Sequence, residues 1–171
     1  SNKWLLLDCN NLCHRAFHAM RDLKWQERSI GTVYGFLRDV LDLQLAHNTT
    51  NIVFAFDDGE PIRKKLLPTY KENRKSWLLR NKEKSDNQKE LRRQIEILKR
   101  EHLPSLGYRN VFYQEGYEAD DVIASICNTL PGDRIIVSTD KDFYQLLRPG
   151  ISIWNPHLKK FYTDQSFRKE W

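Results

Sequence analysis

Three apolar runs in this sequence stop on acids. "KWLLLD" (3–8), "NIVFAFDD" (51–58) and "DRIIVSTD" (133–140) each read as a strand whose last residues are carboxylates. Near-continuous apolar strands are those covered on both faces, as in parallel sheets. Strands that alternate with helical patterns argue for an α/β fold with a mainly parallel central sheet flanked by helices. In such sheets, sites lie beyond the carboxyl ends of the strands, where the strand order reverses. Parallel pairing therefore predicts that Asp8, Asp57 and Asp140 emerge on one edge.

The segments between the runs fill in the pattern. Asn10 or Asn11 is a suitable cap for a helix "LCHRAFHAMRDL". "GTVYGFLRDVLDLQLAH" places Val33, Phe36, Leu37, Val40, Leu41 and Leu45 at helical spacing. The stretch from Asp58 to Pro68 holds one Gly and two Pro and reads as a loop. Residues 69–102 are highly charged, with a thin apolar stripe at Leu91, Ile95 and Leu98 that marks a helix touching protein along a narrow seam. "RNVFYQ" reads as a further strand, "EADDVIASICNTL" as a helix with Val122, Ile123, Ile126, Cys127 and Leu130 on its apolar face, and "DFYQLL" as a short helix. "GISIWNPHLKKFYT" reads as a hairpin, and a last segment begins another helix. No repeat, low-complexity tract or internal linker stands out, so the expectation is one domain, 1–171.

Composition narrows the function. No apolar run approaches the ~20 residues a membrane helix needs, and the N-terminus lacks a signal-peptide layout. The three cysteines, Cys9, Cys13 and Cys127, suit neither a disulfide framework nor a zinc site and read as buried thiols. The expected location is the cytoplasm of a bacterial or phage-infected cell. The net charge of +5 is unevenly spread: residues 60–102 hold 14 Lys/Arg against 7 Asp/Glu, a balance of +7, leaving −2 elsewhere. A basic segment on a slightly acidic body suggests a polyanionic partner, with the acids kept for another task.

The helix that opens with "EADD" starts near the end of its preceding strand, so its acids reach the same edge. That makes seven: Asp8, Asp57, Glu118, Asp120, Asp121, Asp140 and Asp142. At ~4 Å and an effective dielectric of ~20, each like-charged pair costs roughly 4 kcal/mol. Cations make such a cluster tolerable, and oxygen-only ligands select Mg²⁺ or Mn²⁺ over zinc. Each acid also has a plainer reading. Glu118 and Asp121 complement a helix dipole, Asp140 and Asp142 suit a cap, and Asp8, Asp57 and Asp58 suit turns. Glu118 and Asp121, at i and i+3, share a helix face, from which Asp120 points away if Glu118 is already helical. A cation cluster beside a basic segment is the pairing that phosphodiester hydrolysis requires: two ions ~4 Å apart activate water and stabilise the leaving oxygen, while the basic segment holds the strand.

The motifs carry a resemblance. "DCNNLCHRAFHAM" followed by "VYGF", then "FDD…PTYKENR", "EADD" and "STDKDF", in this order, resemble the 5′–3′ nuclease domain of bacterial DNA polymerase I, phage 5′–3′ exonucleases and flap endonucleases. The resemblance implies a PIN-like domain with Mg²⁺-dependent hydrolysis of DNA at 5′ ends or flaps, Mn²⁺ being able to substitute, and products carrying 5′-phosphate and 3′-hydroxyl. It implies that Asp8, Asp57, Glu118, Asp120 and Asp121 surround a first ion and that Asp140 and Asp142 reach toward a second. It implies that Lys71 and Arg74 contact the scissile phosphate, that Tyr70 stacks on a terminal base, that Arg15 contacts DNA near the cleft, and that residues 69–103 form a helical arch for single-stranded 5′ DNA. Family members continue into a helix-three-turn-helix module that binds duplex DNA and carries a "GD…SDN" block. The 171 residues end at Trp171 without it, so the resemblance implies a less fully liganded second ion and a role for that module or another replication protein. A non-catalytic module for branched DNA and a PIN-type ribonuclease are the competing readings.

The remaining candidates read more plainly. His14 and His18, at i and i+4, have no further ligands beside them and read as packing or surface residues. Trp25, Trp77 and Trp154 default to core or interface. "RKK" at 63–65 reads as a general electrostatic contact.

Overall fold

The computed structural model describes residues 2–20, 24–25, 28–58 and 82–166. Strand β1 (Lys3–Asp8) runs directly into α1 (Cys9–Met20). A two-stranded antiparallel ribbon, β2 (Lys24–Trp25) with β3 (Arg28–Ser29), precedes α2 (Gly31–His47) and β4 (Ile52–Ala55). Helix α3 (Lys82–Ile97) continues through a π-type turn, Leu98–His102, into Leu103–Ser105. Then come β5 (Val111–Phe112), α4 (Ala119–Thr129), β6 (Asp133–Val137), a 3₁₀ helix (Lys141–Leu146), and the hairpin β7 (Ile151–Asn155) with β8 (Lys160–Tyr162). Among the described residues no helix is long and apolar enough to cross a membrane.

The main sheet has the order β5-β4-β1-β6-β7-β8, and every neighbouring pair is parallel except β7 with β8. The expected α/β architecture holds, with β1 at the centre. Leu5, Leu6 and Leu7 are fully buried. Leu5 and Leu7 join the core under α1, α2 and α3, whereas Leu6 joins the core under α4. That is the two-residue period of a strand covered on both faces, and each such leucine is worth about 1.5–3 kcal/mol. The chain leaves β1 toward β4 and β5 on one side and later toward β6 and β7 on the other. The strand order reverses beside β1, at its junction with β6.

Helix α2 departs from its predicted face. Phe36 and Val40 are buried as expected, but Leu41 and Leu45 are 57% and 81% exposed. Val33 and Leu37 pack half-buried against the core as expected, and small residues complete the interface, with Gly31, Thr32 and Gly35 buried beside Phe36. Its N-terminus is capped from another helix: the Thr32 and Val33 amides donate to Gln94 Oε1 of α3 at 2.9 and 3.2 Å, which satisfies amides that a helix start leaves without an internal partner. Its C-terminus closes on Asn48 in the left-handed region, a residue that tolerates it. The seam predicted along 69–102 is present where described: Leu91, Ile95 and Leu98 are buried in the core. The arch reading lies partly outside the described residues, which begin again at 82.

Candidate active site

Helix α1 begins at Cys9, without a turn after the strand, so neither asparagine caps it as expected. Both latch neighbouring strands instead. Asn10 Oδ1 accepts the Asp57 amide at 2.9 Å, beyond β4. Asn11 Nδ2 donates to Thr139 Oγ1 at 2.7 Å and its Oδ1 accepts the Thr139 amide at 3.0 Å, beyond β6. One helical turn thus fixes the spacing between the carboxyl ends of β4, β1 and β6, where the acids converge.

Asp8 ends β1 at the reversal point and is buried. Ser138 Oγ donates to its Oδ2 at 2.7 Å and itself accepts the Asp140 amide at 3.0 Å. Burial pushes the Asp8 carboxyl up from an ordinary 3.8 to about 7; the Ser138 bond opposes that rise, and the charges of Asp57, Asp140 and Asp120 add to it. Asp57 Oδ1 accepts the Ala119 amide at 2.6 Å, tying the β4 edge to the start of α4. Asp140 Oδ1 accepts the Asp142 amide at 2.9 Å.

The four charges acting together are therefore Asp8, Asp57, Asp120 and Asp140. Glu118 is not helical; it stands at the N-cap position with φ −91° and ψ 163°. Asp121 folds back to accept the Glu118 amide at 3.1 Å, as a cap residue does. That settles the face question raised by the sequence: with the helix starting at Ala119, Asp120 is the acid felt by Asp8. Glu118 and Asp121 stand at the start of α4, and Asp142 stands at the start of the 3₁₀ helix. Lys71, Arg74 and Tyr70 lie outside the described residues. Arg15 sits on α1, where its Nη2 donates to the Pro156 carbonyl at 3.4 Å and its charge acts on Asp39. It borders a cavity of about 520 Å³ floored by Leu12 and Val137 and walled by Trp154 and Phe161. That cavity contains none of the seven acids. His18 packs edge-on against Phe17 at 5.6 Å.

The donor set suits a hard divalent cation. It is all carboxylate and hydroxyl oxygen, and the burial and repulsion that raise the Asp8 carboxyl are what a cation offsets. Among the described residues no three Asp, Glu, His or Cys side chains are gathered round one point.

Three contributors were not visible in the sequence. Ser138 and Asn10 carry ordinary polar side chains whose partners are remote in the chain. Lys99 stood among many charges, yet it is only 1% exposed, with Nζ 3.2 Å from Asp58 Oδ1 and 3.4 Å from the Asp57 carbonyl. Asp58 thus does more than turn the chain.

A buried carboxylate at a topological switch point, under the charges of acids from three other segments, marks the candidate site of this α/β fold. The chain belongs to the 5′–3′ exonuclease family: residues 3–171 match the model of its N-terminal, resolvase-like domain. It is 33% identical over 159 residues to DNA polymerase I of Mycobacterium tuberculosis, covering 89% of this chain and 16% of that protein. It is 32% identical over 167 residues to flap endonuclease Xni of Shewanella putrefaciens, covering 95% of this chain and 57% of that one. The chain thus spans little more than half of the latter relative and a small part of the former. The fold is similar to that of the bacteriophage T5 flap endonuclease solved with DNA and metal ions, with a TM-score of 0.74 at 20% identity over 98% of this chain and 60% of that one.

Proposed function

We propose that this domain is the catalytic part of a structure-specific 5′ nuclease that hydrolyses phosphodiester bonds of DNA at 5′ ends or flaps, leaving 5′-phosphate and 3′-hydroxyl products. The observation that carries the proposal is Asp8, buried at the switch point and pressed by Asp57, Asp120 and Asp140, in a chain of this family. The names of the relatives, a flap endonuclease and a DNA polymerase I, and the DNA and metal ions of the T5 complex, support the substrate and cofactor class.

Asp8, Asp57, Glu118, Asp120 and Asp121 would surround the first divalent ion, with Asp140 and Asp142 reaching toward a second; the charges of Asp57, Asp120 and Asp140 already act on Asp8. Bound Mg²⁺, or Mn²⁺ in its place, supplies an acidified water and a counter-charge for the leaving oxygen. The chain's own contribution is to place oxygens. Ser138 orients Asp8, Asn10 and the Ala119 amide orient Asp57, and the Asp142 amide orients Asp140. In this reading Lys71 and Arg74 neutralise the reacting phosphate, Tyr70 stacks on the terminal base, and Arg15 meets the DNA backbone.

A labelled 5′-flap DNA incubated with Mg²⁺ tests the proposal. Cleavage is expected, blocked by EDTA and abolished in Asp120→Asn with folding intact. Cleavage that persists in EDTA rejects it. Binding of the flap in Ca²⁺ without product in Mg²⁺ shows a DNA-binding module instead, and preference for an RNA flap shows a ribonuclease.

A further inference from the structure

We propose that Lys99 is a positioning residue for Asp57. A π-type turn drives its ammonium into the protein, where it grips the Asp57–Asp58 turn and sets where the Asp57 carboxylate stands.

Lysine is almost never fully buried unless its charge is paired. An ammonium has three donors and no acceptor. The structure supplies three acceptors: Glu96 Oε1 at 2.7 Å, Asp58 Oδ1 at 3.2 Å and the Asp57 carbonyl at 3.4 Å. The Tyr113 ring lies 4.8 Å away and covers the cation on another side.

The helix geometry explains how it gets there. Successive residues of an α-helix point about 100° apart, so two large neighbours are seldom both buried against one core. Here Leu98 and Lys99 are 0% and 1% exposed, while Arg100 stays at the surface and pairs with the same two acids, Glu96 and Asp58. The π-type turn over Leu98–His102, in which the Leu103 amide reaches back to the Leu98 carbonyl, widens the helix at this point. Such turns are rare and concentrate at functional sites.

Asp57 is thereby held at three groups. Its amide goes to Asn10, its carbonyl takes Lys99, and its carboxylate takes the Ala119 amide. The lysine takes the carbonyl side of the Asp57–Asp58 peptide, whose N–H goes to the Tyr117 carbonyl at 3.3 Å, and the carboxylate follows the peptide. This inference concerns placement in the metal-free protein. Only its link to ion affinity rests on the nuclease reading.

The test compares Lys99→Met, which keeps the stem and loses the charge, with Lys99→Arg. In EDTA, amide exchange at Asp57 and Ala119 is expected to rise about tenfold or more in Lys99→Met, with Leu5–Leu7 unchanged. Lys99→Arg restores protection. Asp58→Asn, which weakens the ion pair but leaves the contact with the Asp57 carbonyl, lowers stability and leaves Ala119 protected. If the Met variant does not fold, Lys99→Gln is expected to give the same local pattern. Mn²⁺ titration should then show affinity about tenfold weaker in Lys99→Met, the size typical of losing a support behind a metal ligand. Unchanged exchange at Asp57 and Ala119, or a uniform rise across the sheet, overturns the proposal. Failure of the wild-type protein to bind Mn²⁺ would overturn the nuclease reading instead, and the exchange data would still decide the role of Lys99.

Discussion

Asp8→Asn should make the metal-free protein more stable at neutral pH. The folded Asp8 carboxyl titrates near 7, and the free carboxyl near 3.8. Each pH unit of difference is worth about 1.36 kcal/mol, so holding the ionised group in place costs about 4 kcal/mol. The sign follows from proton counting. Between pH 4 and pH 7 the folded protein keeps a proton that the unfolded chain has lost, so stability falls as pH rises through that window. Asparagine never ionises, and its carbonyl still accepts from Ser138. Urea denaturation in EDTA should therefore find Asp8→Asn more stable by about 2–4 kcal/mol at pH 8 and equal to wild type near pH 4. Added Mg²⁺ should then raise the wild type alone, as a ligand that binds only the folded state does. A variant no more stable than wild type at pH 8 in EDTA would refute the view that Asp8 is held at a cost.

Leu98→Ala removes a fully buried side chain from the main core and should cost about 2–5 kcal/mol in urea unfolding. Asn11→Ala deletes both bonds to Thr139 and should cost about 2 kcal/mol, read as a Tm about 5 °C lower by calorimetry. Gly132 has φ +87°, and a Cβ there would run into the Asn2 carbonyl oxygen, so Gly132→Ala should lose about 2 kcal/mol or more in the same assay. Leu45→Lys, at an 81% exposed position, should stay within about 0.5 kcal/mol of wild type in urea.

The sheet was legible because its strands announce themselves twice, by an unbroken apolar run and by the acid that stops it. Where several runs end alike, parallel pairing places the acids together, and Asp8, Asp57 and Asp140 follow. The features that were hidden depend on contacts between distant residues. Asn10 and Asn11 have the right chemistry for a cap, and nothing local reveals that their partners lie 47 and 128 positions away. Leu41 and Leu45 satisfy the helical period, but periodicity counts large apolar side chains and misses an interface made by Gly31 and Gly35. Asp120 depended on whether the helix began one residue earlier. Lys99 could not be singled out from a run of charges, since the widened turn that buries it breaks the very period used to assign faces.

The six-stranded sheet also has modest borders. One is β5, two residues long, and the other is β8, three residues long and turned antiparallel. Unpaired backbone along a sheet margin is what lets a stray chain zip on and seed aggregates. Stubs of this length offer a newcomer almost no template, so crowding many copies together should be tolerated at the described margins of the sheet.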